Sequence, residues 1–269
     1  MTSDPGKVDL DGVDIIVSYR ESDAERRDNL YAVLAHLDLT YCDYTLWLIE
    51  GDVRPRFDWG RVNDPKIRHM FIYDDGPFPK ALLYNTAVRA GRADVLCFHD
   101  ADSIADPQTM DLCARRIREA GEAAAISPFY RVVNVQGVLR DHFLSHPAYE
   151  SLAALPDSDP AGTNILYDRA PGGIVFFRRD IYCSVGGYNP EFRGWGGEDN
   201  EMFLRLKALG LACNSFDRRL IHLNHGLSDR ENHSADPAAV RNWLLAETVT
   251  AMPRAELEAL VQRLARFFD

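Results

Sequence analysis

Residues 13–17 are Val, Asp, Ile, Ile and Val, a nearly unbroken β-branched run that gives way at once to the polar Ser18-Tyr19-Arg20-Glu21. Such a run reads as a buried strand ending in a loop. Residues 24–37 then carry apolar positions at helical spacing, and 46–50 read as the next strand. Strand, helix, strand in that order needs a crossover connection and favours a parallel sheet. The alternation continues with a strand at 70–73, a helix at 80–90 and a strand at 95–98 that runs into His99-Asp100-Ala101-Asp102. An open α/β sheet of this kind binds ligands at the carboxyl ends of its strands. At 269 residues the chain is expected to form one such domain.

Further along, 129–169 is polar and broken by Pro147, Pro156 and Pro160, so loops are expected there. Residues 174–177 read as another strand. A helix is expected from Glu198 to Leu209, ended by Gly210. Residues 226–239 have loop chemistry and little apolar surface, which predicts a lid over the site. At the end, Leu257, Leu260, Val261, Leu264 and Phe268 share one helical face and predict a closing amphipathic helix.

The net charge of -11 argues against a nucleic-acid binder, whose affinity would come from Lys and Arg neutralising phosphates. An anionic substrate then needs a local solution such as a bound cation. No stretch reaches the roughly 18–20 apolar residues that span a bilayer, and the polar start has no signal-peptide core. Cys42, Cys97, Cys113, Cys183 and Cys213 are scattered and odd in number, which indicates neither a disulfide framework nor a zinc site. A cytoplasmic protein without an integral membrane segment is expected.

Three stretches could carry chemistry. Asp100 and Asp102 follow a strand, where alternation would send both carboxylates to one side; hard oxygen ligands suit Mg2+ or Mn2+, which can hold a diphosphate. An isolated Asp-x-Asp is more often a turn that caps backbone amides. His222-Leu223-Asn224-His225 follows a short apolar segment, and its two imidazoles can converge on one ion or simply bond to each other's surroundings. In Gly194-Trp195-Gly196-Gly197-Glu198-Asp199-Asn200 the glycines allow close backbone approach to a ligand, Trp195 offers an apolar face to a sugar ring, and two carboxylates open a helix.

Phe98 to Asp102, Pro171-Gly172-Gly173, Gly186-Gly187-Tyr188 and Gly194 to Asn200 together resemble the GT-A glycosyltransferases. The likeness is strongest to the galactosyltransferase C-terminal group with its W-G-G-E-D motif, and extends to family 2-like bacterial glycosyltransferases. Residues 15–20 are similar to that family's first strand, and Phe78-Pro79-Lys80-Ala81 through Asn85 to its F-N-[RK]-A segment. The ordered set covers Val13 to His225. It implies a single α/β domain over 1–269 of Rossmann-like GT-A type, with a mostly parallel central sheet flanked by helices. A nucleotide-binding half would occupy 13–127, an acceptor and metal half 128–235, and C-terminal helices 236–269.

Position by position, the resemblance implies that Tyr19 and Arg20 lie against the uridine, with Lys80 and Asn85 shaping the nucleotide pocket. Asp102, His225 and His222 would bind Mn2+ or Mg2+, and Asp100 the ribose or a metal-bound water. Gly172 and Gly173 would let the backbone pass the donor sugar, Trp195 would stack on sugars, Glu198 would bind hydroxyls, and Asp199 would be the catalytic base. The implied activity is inverting transfer from a UDP-sugar to a hydroxyl of a glycan, glycolipid or other acceptor, with peripheral membrane association left open. Three departures stand out: Pro79 replaces the usual Asn, Ser18 the usual Pro, and His222 a methionine ligand of the animal enzymes. A retaining N-acetylgalactosaminyltransferase-like enzyme, whose branch tends toward W-G-G-E-N, and a catalytically silent carbohydrate-binding domain stay open beside it.

Overall fold

The computed structural model describes residues 6–62, 64–119, 123–226 and 236–269. The first elements are β1 (Val8–Asp9), β2 (Val13–Tyr19), α1 (Ala24–Thr40), β3 (Tyr41–Cys42), β4 (Thr45–Asp52), β5 (Ile67–Tyr73), α2 (Lys80–Ala90) and β6 (Val95–His99). Next come β7 (Ser103–Ala105), α3 (Pro107–Arg116), β8 (Ala125–Ser127), β9 (Arg131–Val135), α4 (Gly137–Ser145), α5 (Glu150–Ala153) and β10 (Thr163–Asp168). The rest are β11 (Ile174–Arg178), α6 (Arg179–Ser184), α7 (Glu198–Ala208), β12 (Cys213–Ser215), β13 (Arg219–Leu223), α8 (Pro237–Thr250) and α9 (Arg254–Ala265).

The central sheet has the order β12-β8-β11-β6-β2-β4-β5, and every neighbouring pair is parallel except the two made by β11. Both faces are covered, which is why its inner strands read as continuous apolar runs. On β2, Ile15 and Val17 pack with Leu30, Val33 and Leu37 of α1, while Ile16 faces the core built with Leu83 and Val88 of α2 and Met202 and Leu206 of α7. Residues Leu257, Leu260 and Leu264 of α9 close a small third core against Val249 of α8. No helix among the described residues is long and apolar enough to cross a membrane.

A second sheet, β10-β9-β13-β7, was not legible as such. The expected loops at 129–169 instead contain β9, α4, α5 and β10. Val132, Val133 and Val135 of β9 are buried, and their packing outweighs the polar flanks; the prolines fall in the connections between elements, not inside them. The lid expected at 226–239 lies mostly outside the described residues. Its last part is not loop: Asp236 caps α8 by accepting from the Ala238 N–H at 2.9 Å, and Pro237 takes the first helical position.

One buried ion pair ties α7 to the preceding turn. Arg205 and Glu201 are fully buried, 2.7 Å apart, and Arg205 also donates to the carbonyls of Val185 and Gly187. Removing one member of such a pair strands the other charge. Arg205→Met is therefore expected to lower the unfolding free energy by about 3–5 kcal/mol in urea denaturation; a loss within about 0.5 kcal/mol, as for an ordinary surface change, would show that the pair does not hold this turn.

Candidate active site

Backbone pairing brings the possible metal ligands together. The chain leaves β6 at His99 and turns, the Asp100 N–H donating to Gly173 O at 2.8 Å where β11 begins. It then enters β7, which runs antiparallel to β13 with Ser103 opposite His222. The Leu223 N–H donates to Asp102 O at 2.8 Å, so the start of one strand and the end of the other are locked side by side. His225 Nε2 lies 3.2 Å and His222 Nε2 3.7 Å from Asp102 Oδ2. Burial alone would raise the Asp102 carboxyl, but the two histidine rings hold it far below the usual range. His225 Nδ1 is buried and has no hydrogen-bond partner among the described residues. One carboxylate oxygen and two imidazole nitrogens, all within 4.8 Å of one another, form a donor set that fits a divalent cation.

Asp100 goes elsewhere. Because 100–102 form a turn and not a continued strand, alternation does not apply, and the Asp100 carboxylate meets α2. There Lys80 Nζ lies 3.2 Å from Asp100, 3.3 Å from Glu198 and 3.3 Å from Asp199. Burial opposes the charge on Lys80, yet the carboxylates around it keep its pKa well above the ordinary value. Tyr84, one turn along α2, donates to Asp100 at 3.1 Å, and Tyr188 donates to the other oxygen of Asp199 at 2.9 Å. Glu198 is pushed up to about 7, first by burial and then by the neighbouring Asp199.

The glycines have local reasons. A Cβ on Gly172 would sit 2.0 Å from Asp199 Oδ2, so only glycine leaves room for that carboxylate. Gly196 and Gly197 have φ of +89° and +86°, and a Cβ on Gly197 would meet Asn242 O at 3.0 Å. Their freedom lets α7 start in a left-handed turn packed against α8, a different need from the ligand approach expected of them.

A cleft of about 910 Å³ joins these groups. Tyr19, Arg20, Lys80, Asp100, Asp102, Gly172, Gly173, Trp195, Glu198, Asp199, His222 and His225 all line it. Asn85 does not. It is wholly buried, donating to Tyr188 O and accepting from Tyr182 Oη, each at 2.7 Å, and from the Tyr188 N–H, so it fixes the tyrosine that holds Asp199. Arg20 donates to the carbonyls of Gly51, Gly76 and Asp74, which engages the guanidinium in holding loops. Sequence reasoning passed over Tyr84, Asn134 and Trp243. Tyr84 could have been found one helical turn from Lys80; Trp243, 42% exposed and lining the same cleft as Trp195, gave no signal in the sequence.

Known proteins share the fold or parts of the sequence to different extents. Glucosyl-3-phosphoglycerate synthase from Mycobacterium tuberculosis, solved in complex with Mn2+, UDP and phosphoglyceric acid, superposes with a TM-score of 0.55 over 90% of this chain and 80% of that one, at 13% identity. The fold is GT-A. Within the GT-A frame, residues 157–226 match the family described as the N-terminal domain of galactosyltransferase, a stretch from just before β10 to just past His225. Beta-1,4-galactosyltransferase 7 of Drosophila melanogaster is 40% identical over 45 residues, 17% of this chain and 14% of that protein. Human beta-1,4-galactosyltransferase 2 is 27% identical over 96 residues, 36% of this chain and 26% of that protein. The chain thus spans well under two thirds of the curated relatives it matches.

The carboxyl of Glu198 offers a test of the Lys80 cluster in this GT-A cleft. Its folded pKa of about 7 lies above the ordinary 4.5, so between those values the folded state keeps a proton that the unfolded chain has lost. Stability from this group is therefore present below about pH 4.5 and declines as pH rises to about 7. In urea unfolding, Glu198→Gln should gain on wild type by about 1–3 kcal/mol between pH 5 and pH 7.5. A difference that does not change with pH would mean that Glu198 is not strained in this way.

Proposed function

We propose that the chain is a metal-dependent, inverting glycosyltransferase that moves a sugar from a UDP-sugar to a hydroxyl of a glycan or glycoconjugate. The observation that carries this reading is a single cleft lined both by a three-ligand cation set and by a paired, oriented carboxylate. The galactosyltransferase relatives and the Mn2+ and UDP held by the structural neighbour support the donor class. So does the charge: a chain at -11 cannot attract a diphosphate by bulk potential.

Asp102, His222 and His225 would hold the cation, which when bound supplies positive charge to the departing diphosphate. Two imidazole ligands favour manganese over magnesium, which prefers oxygen. Asp199 accepts the proton of the acceptor hydroxyl. Lys80 and Tyr188 each bind one of its oxygens, so the carboxylate is aimed before the acceptor arrives. Glu198 hydrogen-bonds sugar hydroxyls, Gly172 keeps the backbone thin beside Asp199, and Trp195, 43% exposed at the rim, stacks on a sugar face. A cytoplasmic site of action belongs to the same proposal, supported by cysteines that are scattered and odd in number.

Asp199→Asn keeps the shape of the side chain and removes the base. Turnover should fall by about 10² to 10⁴ while UDP-sugar affinity by calorimetry stays near wild type. EDTA should abolish release of UDP and manganese should restore it. Normal turnover in Asp199→Asn, or a product that keeps the donor's anomeric configuration, would rule out single displacement with Asp199 as base.

A further inference from the structure

The four-stranded sheet carries a row of polar residues of which the chemistry above uses only His222. In register, Asn164 of β10 stands opposite Asn134 of β9, Asn134 opposite His222 of β13, and His222 opposite Ser103 of β7. Residues opposed in this way touch through their side chains. Asn134 Nδ2 donates to Asn164 Oδ1 at 3.2 Å and to Asn224 Oδ1 at 3.3 Å, and Asn134 Oδ1 lies 2.9 Å from His222 Nδ1. At the far end Ser103 Oγ donates to Asp102 Oδ1 at 3.3 Å. The row therefore ends on the cation set.

Asn134 is 4% exposed among buried valines, where an amide is tolerated only if its polar atoms are bonded. Its NH2 group has two acceptors, which turns its oxygen toward His222. An oxygen there can only accept, so the hydrogen between the two residues must sit on Nδ1 of the ring. In a neutral imidazole the other nitrogen, Nε2, then carries the lone pair. Nε2 is the nitrogen that faces Asp102.

We propose that Asn134 is a positioning residue, held by Asn164 and Asn224, that fixes His222 in the Nδ1–H tautomer and so presents Nε2 as a cation ligand. The inference rests on the metal reading for its purpose, but the tautomer belongs to the polypeptide alone. It makes the inner strand of the small sheet part of the site, two steps from the ion.

The test begins with metal-free, 15N-labelled protein near pH 8, in which long-range proton–nitrogen correlation reports the state of each ring. His222 should show a protonated Nδ1 and an unprotonated Nε2; the opposite tautomer, or a doubly protonated ring, overturns the proposal. Asn134→Leu, similar in size but unable to accept, should weaken Mn2+ binding in calorimetry by about 10–100-fold and let the Nε2–H tautomer appear. Asn134→Asp, which still accepts from Nδ1, should restore the tautomer and keep Mn2+ affinity within a few-fold of wild type. If wild type binds Mn2+ and Asn134→Leu binds it equally well, Asn134 does not position His222. If wild type binds no Mn2+, the metal reading fails, and the ring spectrum of the metal-free protein still decides the tautomer.

Discussion

One half-buried ammonium holds the reactive side of this molecule together. Lys80 lies within 3.3 Å of carboxylates from two different parts of the fold, the turn after β6 and the start of α7. Two like charges about 4 Å apart repel by about 4 kcal/mol at an effective dielectric near 20. Three acids in this space without a cation would push α7 away from the sheet. Lys80 answers that repulsion at the first turn of α2, and Tyr84 and Tyr188 supply further donors. Because one ammonium is shared among three carboxylates, part of the negative charge is left over; burial first, and then the neighbouring Asp199, push Glu198 up to about 7. A cleft built this way holds its acids in place and keeps at least one of them close to exchanging a proton at neutral pH.

The backbone around Asp199 is shaped to the same end. Gly172 leaves space where any side chain would collide with the carboxylate, and Asn85 anchors Tyr188 from inside the core. The Arg205–Glu201 pair fixes the turn that leads to this tyrosine. Orientation of a single carboxylate thus depends on groups drawn from α2, α7 and the turn between α6 and α7. That is the kind of supporting shell a positioned proton acceptor requires.

Much of this could be read from the chain. The strands of the large sheet announce themselves because burial on both faces leaves long apolar runs, as at 13–17 and 95–98. The chemistry-bearing stretches were visible because Asp102, His222, His225, Glu198 and Asp199 stand in an ordered set of motifs, although each alone would also suit a turn, a surface pair or a helix cap. The small sheet was not visible: its strands are short, β9 is interrupted by Asn134, and their pairing is non-local, so no periodicity records it. The same blindness limits what residue types alone say about Asp102 and His222: they suggest a shared ion, but the convergence itself depends on the register of β7 against β13. Asn85 was misplaced for a related reason: a polar residue near a site reads as lining it, whereas burial turned this one inward.

The sheet pairings also bear on how such a cleft can be inherited. The segment that matches the galactosyltransferase family, 157–226, contains β10, β11, β12 and β13. Among the described residues no two of these four strands pair with each other; β10 lies on β9, β11 between β6 and β8, β12 on β8, and β13 between β7 and β9. The recognisable portion is therefore woven through the remainder like the weft of a cloth, and every hydrogen-bonded edge it has is completed by chain outside it. Cut free, it would present only unpaired strand edges. A match to this stretch does not mark a transplantable module: its strands need backbone partners that the segment cannot supply for itself.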